Sequence, residues 1–283
     1  MADPRIPESA LRSAIDGVDE LAFIDRGGQG DAWRLRRNGG DDEVLKVIVG
    51  ADPARVLREI EVMRTINDPR VMRFTEAGSL AHSGTTYPYI IGEYISGRSV
   101  ANCLQADDWP DEREALMTMV GVLWGLAAIH SSEVVHRDIK PGNIALREDD
   151  WADPVILDLG LVRNVLGTSI TVYPNLLGTV PFMAPEQLRK ERAVRRSDVF
   201  AAGVTLFLLL TRKHPFFDGG EHEVAIEVLE ERIRDEDRPL WDQVNGVADD
   251  VREILERMLM PDAFQRPRAE FAADVLQSIL DDR

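Results

Sequence analysis

The rhythm of apolar and polar positions changes once along this chain. Short β-type runs come first, over residues 21–24, 32–36, 44–49, 71–78 and 86–94. Arg26-Gly27-Gly28-Gln29-Gly30 joins the first two runs and Asn38-Gly39-Gly40 turns into the third, so an antiparallel sheet is expected. Asp52-Pro53 then offers an N-cap residue and a proline at the first helical position. Val56, Leu57, Ile60, Met63 and Ile66 follow at helical spacing. Beyond Ser96-Gly97 the period is mainly helical, and helices are expected over 112–131, 198–210, 222–236, 249–259 and 269–280. Residues 1–20 read as a polar preamble with one helix-like stretch, 8–15. The expected organisation is a preamble (1–20), a β-rich part with one main helix (21–95) and a helical part (96–283).

Composition excludes several classes. At 283 residues, 44% hydrophobic and 29% charged, the chain is neither disordered nor fibrous. A net charge of −17 argues against non-specific binding to nucleic acid or anionic membranes. The longest apolar run, 199–210, has 12 residues, too few to span a bilayer, and no secretory signal opens the chain. A cytoplasmic location without a membrane segment is therefore expected. The single Cys103 and the scattered His82, His130, His136, His214 and His222 give no metal-binding spacing. Of the basic residues only Lys46, Lys140, Lys190 and Lys213 are lysines, so a lysine at a motif position is informative.

Four segments carry chemistry. Gly27, Gly28 and Gly30 between two strands let main-chain amides approach a phosphate, although alone they read equally as a hairpin without ligand. Lys46 sits among β-branched residues and needs a partner unless it faces solvent from an edge strand. Glu59, on the apolar stripe of the following helix, could supply that partner. His136-Arg137-Asp138-Ile139-Lys140-Pro141-Gly142-Asn143 crowds polar groups between two apolar runs, Val134-Val135 and Ile144-Ala145-Leu146. Asp158 ends the apolar run 155–157 before Leu159-Gly160. Asn143 and Asp158 are oxygen donors suited to a hard cation such as Mg²⁺, though each could also be a strand-end turn residue.

In this order, and followed by Ala184-Pro185-Glu186, the segments resemble the protein kinases. Residues 178–187 look like the bacterial branch of the eukaryotic-like Ser/Thr kinases. The resemblance covers 21–280 and implies an α+β, bilobal kinase fold: a β-rich lobe with one main helix and a helical lobe. It implies ATP as co-substrate, with Mg²⁺ or Mn²⁺, and a protein substrate. Lys46 would hold the α/β-phosphates and Glu59 would hold Lys46. Asp138 would orient and deprotonate the substrate hydroxyl, Lys140 would touch the γ-phosphate, and Asn143 and Asp158 would hold the metal. Glycines 27, 28 and 30, with Ala32, Leu45, Ala145 and the main chain of Glu93 and Ile95, would bind the nucleotide. Glu186 would pair with Arg266, and Asp198 would tie down the turn around Arg137. Arg137 fits regulation by a phosphate on the activation segment, with Thr168, Ser169, Thr171 and Tyr173 as candidates and Thr171 favoured. Self-association for trans-autophosphorylation would follow. A nucleotide-binding module without activity, or a small-molecule phosphotransferase, is the alternative. The second lacks the segment ending in Ala184-Pro185-Glu186.

Departures from the family pattern are Asp25 at the first loop glycine, Gln29 at the loop tip, and Leu159 for phenylalanine. Gly92, before the hinge residue Glu93, lacks a side chain and predicts a deep back pocket for bulky purines.

Overall fold

The computed structural model describes residues 3–27, 30–50, 52–157, 169–171, 180–217, 223–235 and 246–283. For residues 55, 58, 59, 169–171 and 223–225 it describes the backbone. The chain forms two compact units, one built on residues up to Ile95 and one on residues from Ser96 onward.

In the first unit, strands β1 (Val18–Gly27), β2 (Gly30–Arg37), β3 (Asp42–Ile48), β4 (Phe74–His82) and β5 (Thr85–Glu93) form one antiparallel sheet in the order β1-β2-β3-β5-β4. Directly opposed residues share a face, and neighbours along a strand do not. Ala32 opposes Lys46, which opposes Ile90; Trp33 opposes Leu45, which opposes Ile91. The second set, with Leu35, Val47 and Tyr89, forms an apolar face. What covers that face is the segment expected to be a polar preamble. Ile6 and Leu11 are fully buried against it and Ile15 nearly so. Helix α1 (Glu8–Ala14) is therefore a core element, and β1 already begins at Val18.

Helix α2 (Pro53–Met63) opens as the sequence predicts: the Asp52 side chain accepts the Ala54 N–H at 3.1 Å. Its Val56, Ile60 and Met63 are buried, and it packs against β4 and β5.

The second unit begins with α3 (Val100–Gln105), which the apolar pattern did not announce; Ser99 caps it by accepting the Asn102 N–H. Helix α4 (Glu112–Ser131) starts on a reciprocal capping box, Asp111 with Glu114, both bonds 2.8 Å. By length and composition α4 could cross a membrane, with a mean hydropathy of 1.3, but it packs inside this unit against α6 (Arg195–Thr211) and α9 (Ala269–Asp281). Strands β6 (Ile144–Leu146) and β7 (Pro154–Ile156) form a hairpin, and β8 (Ser169–Thr171) pairs with β9 (Glu223–Ala225). Helices α5 (Pro185–Leu188), α7 (Ile226–Arg234) and α8 (Asp249–Met258) complete the unit.

His214 is buried among Phe182, Phe216 and Phe217. Its Nε2–H donates to the Pro181 carbonyl at 2.9 Å while Nδ1 accepts the Phe216 N–H at 3.1 Å, so both nitrogens are satisfied only in the neutral ring. Burial draws its pKa from 6.5 to about 3. The folded value lies below the unfolded one, so this stabilisation is complete above pH 6.5 and is lost as the pH falls towards 3. Melting curves should show about 2 kcal/mol lost between pH 6.5 and 5 through this group, and a shallower acid slope in His214→Asn.

Candidate active site

The loop 136–143 of the second unit is built from local turns held by one distant carboxylate. Asp198, at the start of α6 and 1% exposed, accepts the main-chain N–H of His136 at 2.8 Å and of Arg137 at 2.7 Å. It also accepts from His130 Nε2 at 2.8 Å. Arg137 has φ 69°, an unfavourable region for a residue with a side chain. Asp198 fixes it from its amide, and Gln187 Nε2 donates to its carbonyl at 3.0 Å. The His136 ring closes the far side: Nε2–H donates to the Leu157 carbonyl at 2.8 Å, and Nδ1 accepts the Asp138 N–H at 3.2 Å.

This scaffold holds Asp138, which is 4% exposed. Asn143 Nδ2 donates to its carbonyl oxygen at 2.7 Å and to its carboxylate at 3.0 Å. Lys140 Nζ lies 3.2 Å from the same carboxylate. The pairing of β6 with β7, and the Leu157 N–H donating to the Asn143 carbonyl at 2.8 Å, bring the strand that leads to Asp158 beside Asn143. Asp158 itself lies outside the described residues, as do Gly28, Leu159, Thr168 and Tyr173. Asn143 fits a hard cation: both bonds to Asp138 come from its nitrogen, which turns its amide oxygen, a donor Mg²⁺ accepts, the other way. Of the candidate phosphate acceptors, Ser169 and Thr171 lie on β8, opposite Ala225 and Glu223.

Below the loop, Glu186 of α5 and Arg266 form a two-pronged ion pair, 2.8 and 3.0 Å, and the Ser197 hydroxyl donates to Glu186 at 2.5 Å. This is the pair the resemblance implies. The contributions of His130 and Gln187 were not legible in sequence, because a helix-end histidine and a polar residue after a proline carry no pattern of their own.

In the first unit, Lys46 is half-buried on β3, on one face with Ala32 and Ile90. The side chain of Glu59 lies outside the described residues. Gly27 pairs with Gly30 at the base of the loop, and a Cβ on Gly30 would lie 1.9 Å from the Val47 carbonyl oxygen, so that strand contact requires glycine. Asp25 is exposed and turns its carboxylate back to accept the Arg26 N–H at 2.7 Å. The Glu93 amide donates to the Arg73 carbonyl at 2.9 Å. Ile95 is 8% exposed, and Ala145, in the second unit, 3%.

Two sequence expectations need correction here. Leu45 does not belong with the nucleotide residues: it is fully buried in the apolar face under α1, because the residue beside Lys46 must point the opposite way. Val44 and Gly92, opposed in the ladder, share the Lys46 face. Gly92 is explained by close backbone approach, since a Cβ there would lie 2.8 Å from the Arg73 carbonyl oxygen. Gly92→Ala should therefore cost about 1–2 kcal/mol, read as a lower melting temperature, whatever nucleotide the chain takes.

A buried carboxylate bonded to an asparagine five residues on and to a lysine two residues on is the loop pattern of the protein kinase class. The comparisons agree with that class. The protein kinase domain family matches residues 27–278, and the chain belongs to it. Curated relatives are bacterial Ser/Thr kinases: PknB of Mycobacterium leprae, 26% identical over 83% of this chain and 38% of the relative. PrkC of Bacillus subtilis is 30% identical over 75% and 31%. PknK of Mycobacterium bovis is 30% identical over 98% and 24%. The chain thus spans between a quarter and two-fifths of the length of these relatives. Among solved structures, Rad53 1-466 in complex with AMP-PNP matches with a TM-score of 0.70 and 24% identity, covering 90% of this chain and 64% of the other, and shares the bilobal α+β kinase fold.

Proposed function

We propose that this chain is an active Ser/Thr kinase that transfers the γ-phosphate of ATP to hydroxyls of a protein substrate, its own activation segment (158–186) included. The observation that carries the reading is the Asp138 carboxylate, oriented by Asn143 and charge-paired with Lys140 on a loop that Asp198 fixes at two consecutive amides. Such an acceptor can take the hydroxyl proton as the phosphorus–oxygen bond forms. Lys140 then meets the charge of the transferring phosphoryl group.

By the family pattern, Lys46 with Glu59 holds the α/β-phosphates, the amides at Gly27, Gly28 and Gly30 cover them, and Ala32, Ala145 and the main chain of Glu93 and Ile95 take the adenine. Asn143 and Asp158 would hold Mg²⁺, whose chemistry is to neutralise the phosphate oxygens. A chain of net charge −17 needs these local cations to accept a polyanionic nucleotide. Thr171 remains the favoured acceptor, phosphorylated in trans between two copies, in the cytoplasm where MgATP is abundant.

Transfer of labelled phosphate from MgATP to a basic protein and to the chain itself is the test. Label in either, mapped to serine or threonine, supports the reading; MgATP binding without transfer would favour the module without activity.

A further inference from the structure

Among the described residues the strand order leaves β1 at the sheet edge, paired with β2 alone. Hairpin tips at a sheet edge fray readily. Here, however, residues on both sides of the tip are held by residues 3–6, which precede the part of the chain that matches the kinase family.

Asp31, just after Gly30, is fully buried, a costly place for a carboxylate without donors. It accepts the main-chain N–H of Arg5 at 2.5 Å and of Ile6 at 3.3 Å, and Arg5 Nη1 at 3.0 Å. The second arm of the same guanidinium, Nη2, donates to the Gly27 carbonyl at 3.1 Å. Arg26 Nη1 donates back to the Asp3 carbonyl at 3.0 Å. One guanidinium therefore bridges the residue before the loop and the residue after it, a geometry that a lysine, with a single nitrogen, does not reproduce. Ile6 and Leu11 seat the segment on the sheet through apolar burial. The polar bonds have a narrower effect, fixing the separation of the two loop ends.

We infer that residues 3–6 are a strut for the phosphate-binding loop, with Arg5 and Asp31 as positioning residues that pre-organise the loop for nucleotide. The inference rests on the nucleotide-binding reading above. A loop already held in place loses less freedom when phosphates arrive, so the strut acts on nucleotide affinity and little on the chemical step.

The test uses the whole chain. Arg5→Ala leaves both amide bonds to Asp31 in place. It should raise KM for MgATP about five- to tenfold with kcat within about twofold. Exchange of the amides of residues 26–32 should accelerate in the nucleotide-free protein. Arg5→Lys, which keeps the charge without the fork, should recover part of the loss. Asp31→Asn keeps an acceptor for the two amides but turns an amide N–H₂ against Arg5 Nη1, and should raise KM at least as far as Arg5→Ala. Unchanged KM and unchanged exchange in both Arg5→Ala and Asp31→Asn would overturn the strut, as would a lower melting temperature with KM unmoved. Should the wild-type chain transfer no phosphate, the proposed activity fails on its own, and the exchange rates still separate a held loop from a free one.

Discussion

Asp138→Asn lowers kcat about 10²- to 10⁴-fold, while KM for MgATP and the melting temperature stay near wild type. The substitution is nearly isosteric at a site only 4% exposed, so packing is preserved. An asparagine oxygen can still accept from Asn143 Nδ2, now 3.0 Å from the carboxylate. What disappears is the basic lone pair that would take the hydroxyl proton in the proposed reaction, and the charge facing Lys140 at 3.2 Å. Single-turnover transfer on wild type and variant, with MgATP affinity measured on both, isolates the chemical step. Residual turnover within tenfold of wild type would remove Asp138 from the role of base and with it the central step of the proposed reaction.

Arg266→Met destabilises the protein by about 3–5 kcal/mol, read as a melting temperature lower by roughly 10 °C. Arg266 is 1% exposed and donates to Glu186, to the carbonyls of Met260 and Pro261, and to that of Arg196. It also lies over the Phe200 ring, 4.8 Å from its centre. Burial pushes the Glu186 carboxyl up, but the Arg266 fork and charge outweigh it and hold the carboxyl below its usual range. For Arg266 burial wins and draws the guanidinium below its ordinary value despite Glu186. The pair is therefore costly to desolvate, and the loss in Arg266→Met comes chiefly from the stranded Glu186, left with Ser197 as its bonded side chain. Adding Glu186→Gln should recover stability; a double variant no more stable than Arg266→Met would contradict this.

The two corrections have different origins. The face of Leu45 was legible in principle, because alternation along β3 forces it away from Lys46. Gly92 was not, because its glycine answers to the carbonyl of Arg73 on a neighbouring stretch of chain. The preamble was misread for a related reason. Ile6, Leu11 and Ile15 are too few to mark a core element until the sheet face they cover is known.

The sequence by itself determined the five strands and main helix of the first part, the long helices of the second, the cap of α2 and the close set Asp138, Lys140 and Asn143, whose members lie within five residues of one another. Local spacing brings such groups together through one or two turns, so pattern alone can find them. Only the tertiary structure decided how the loop ends are held and what covers the sheet, and periodicity alone could not find the carboxylate that fixes Arg137. Arg137 lies 61 residues from Asp198, and Arg5 lies 26 from Asp31 and 22 from Gly27, whereas periodicity reports only a residue's own surroundings. The resemblance to kinases bridged that gap for Asp198 and for Glu186 with Arg266. It did not do so for Arg5 and Asp31, where the strut comes from chain that precedes the family match.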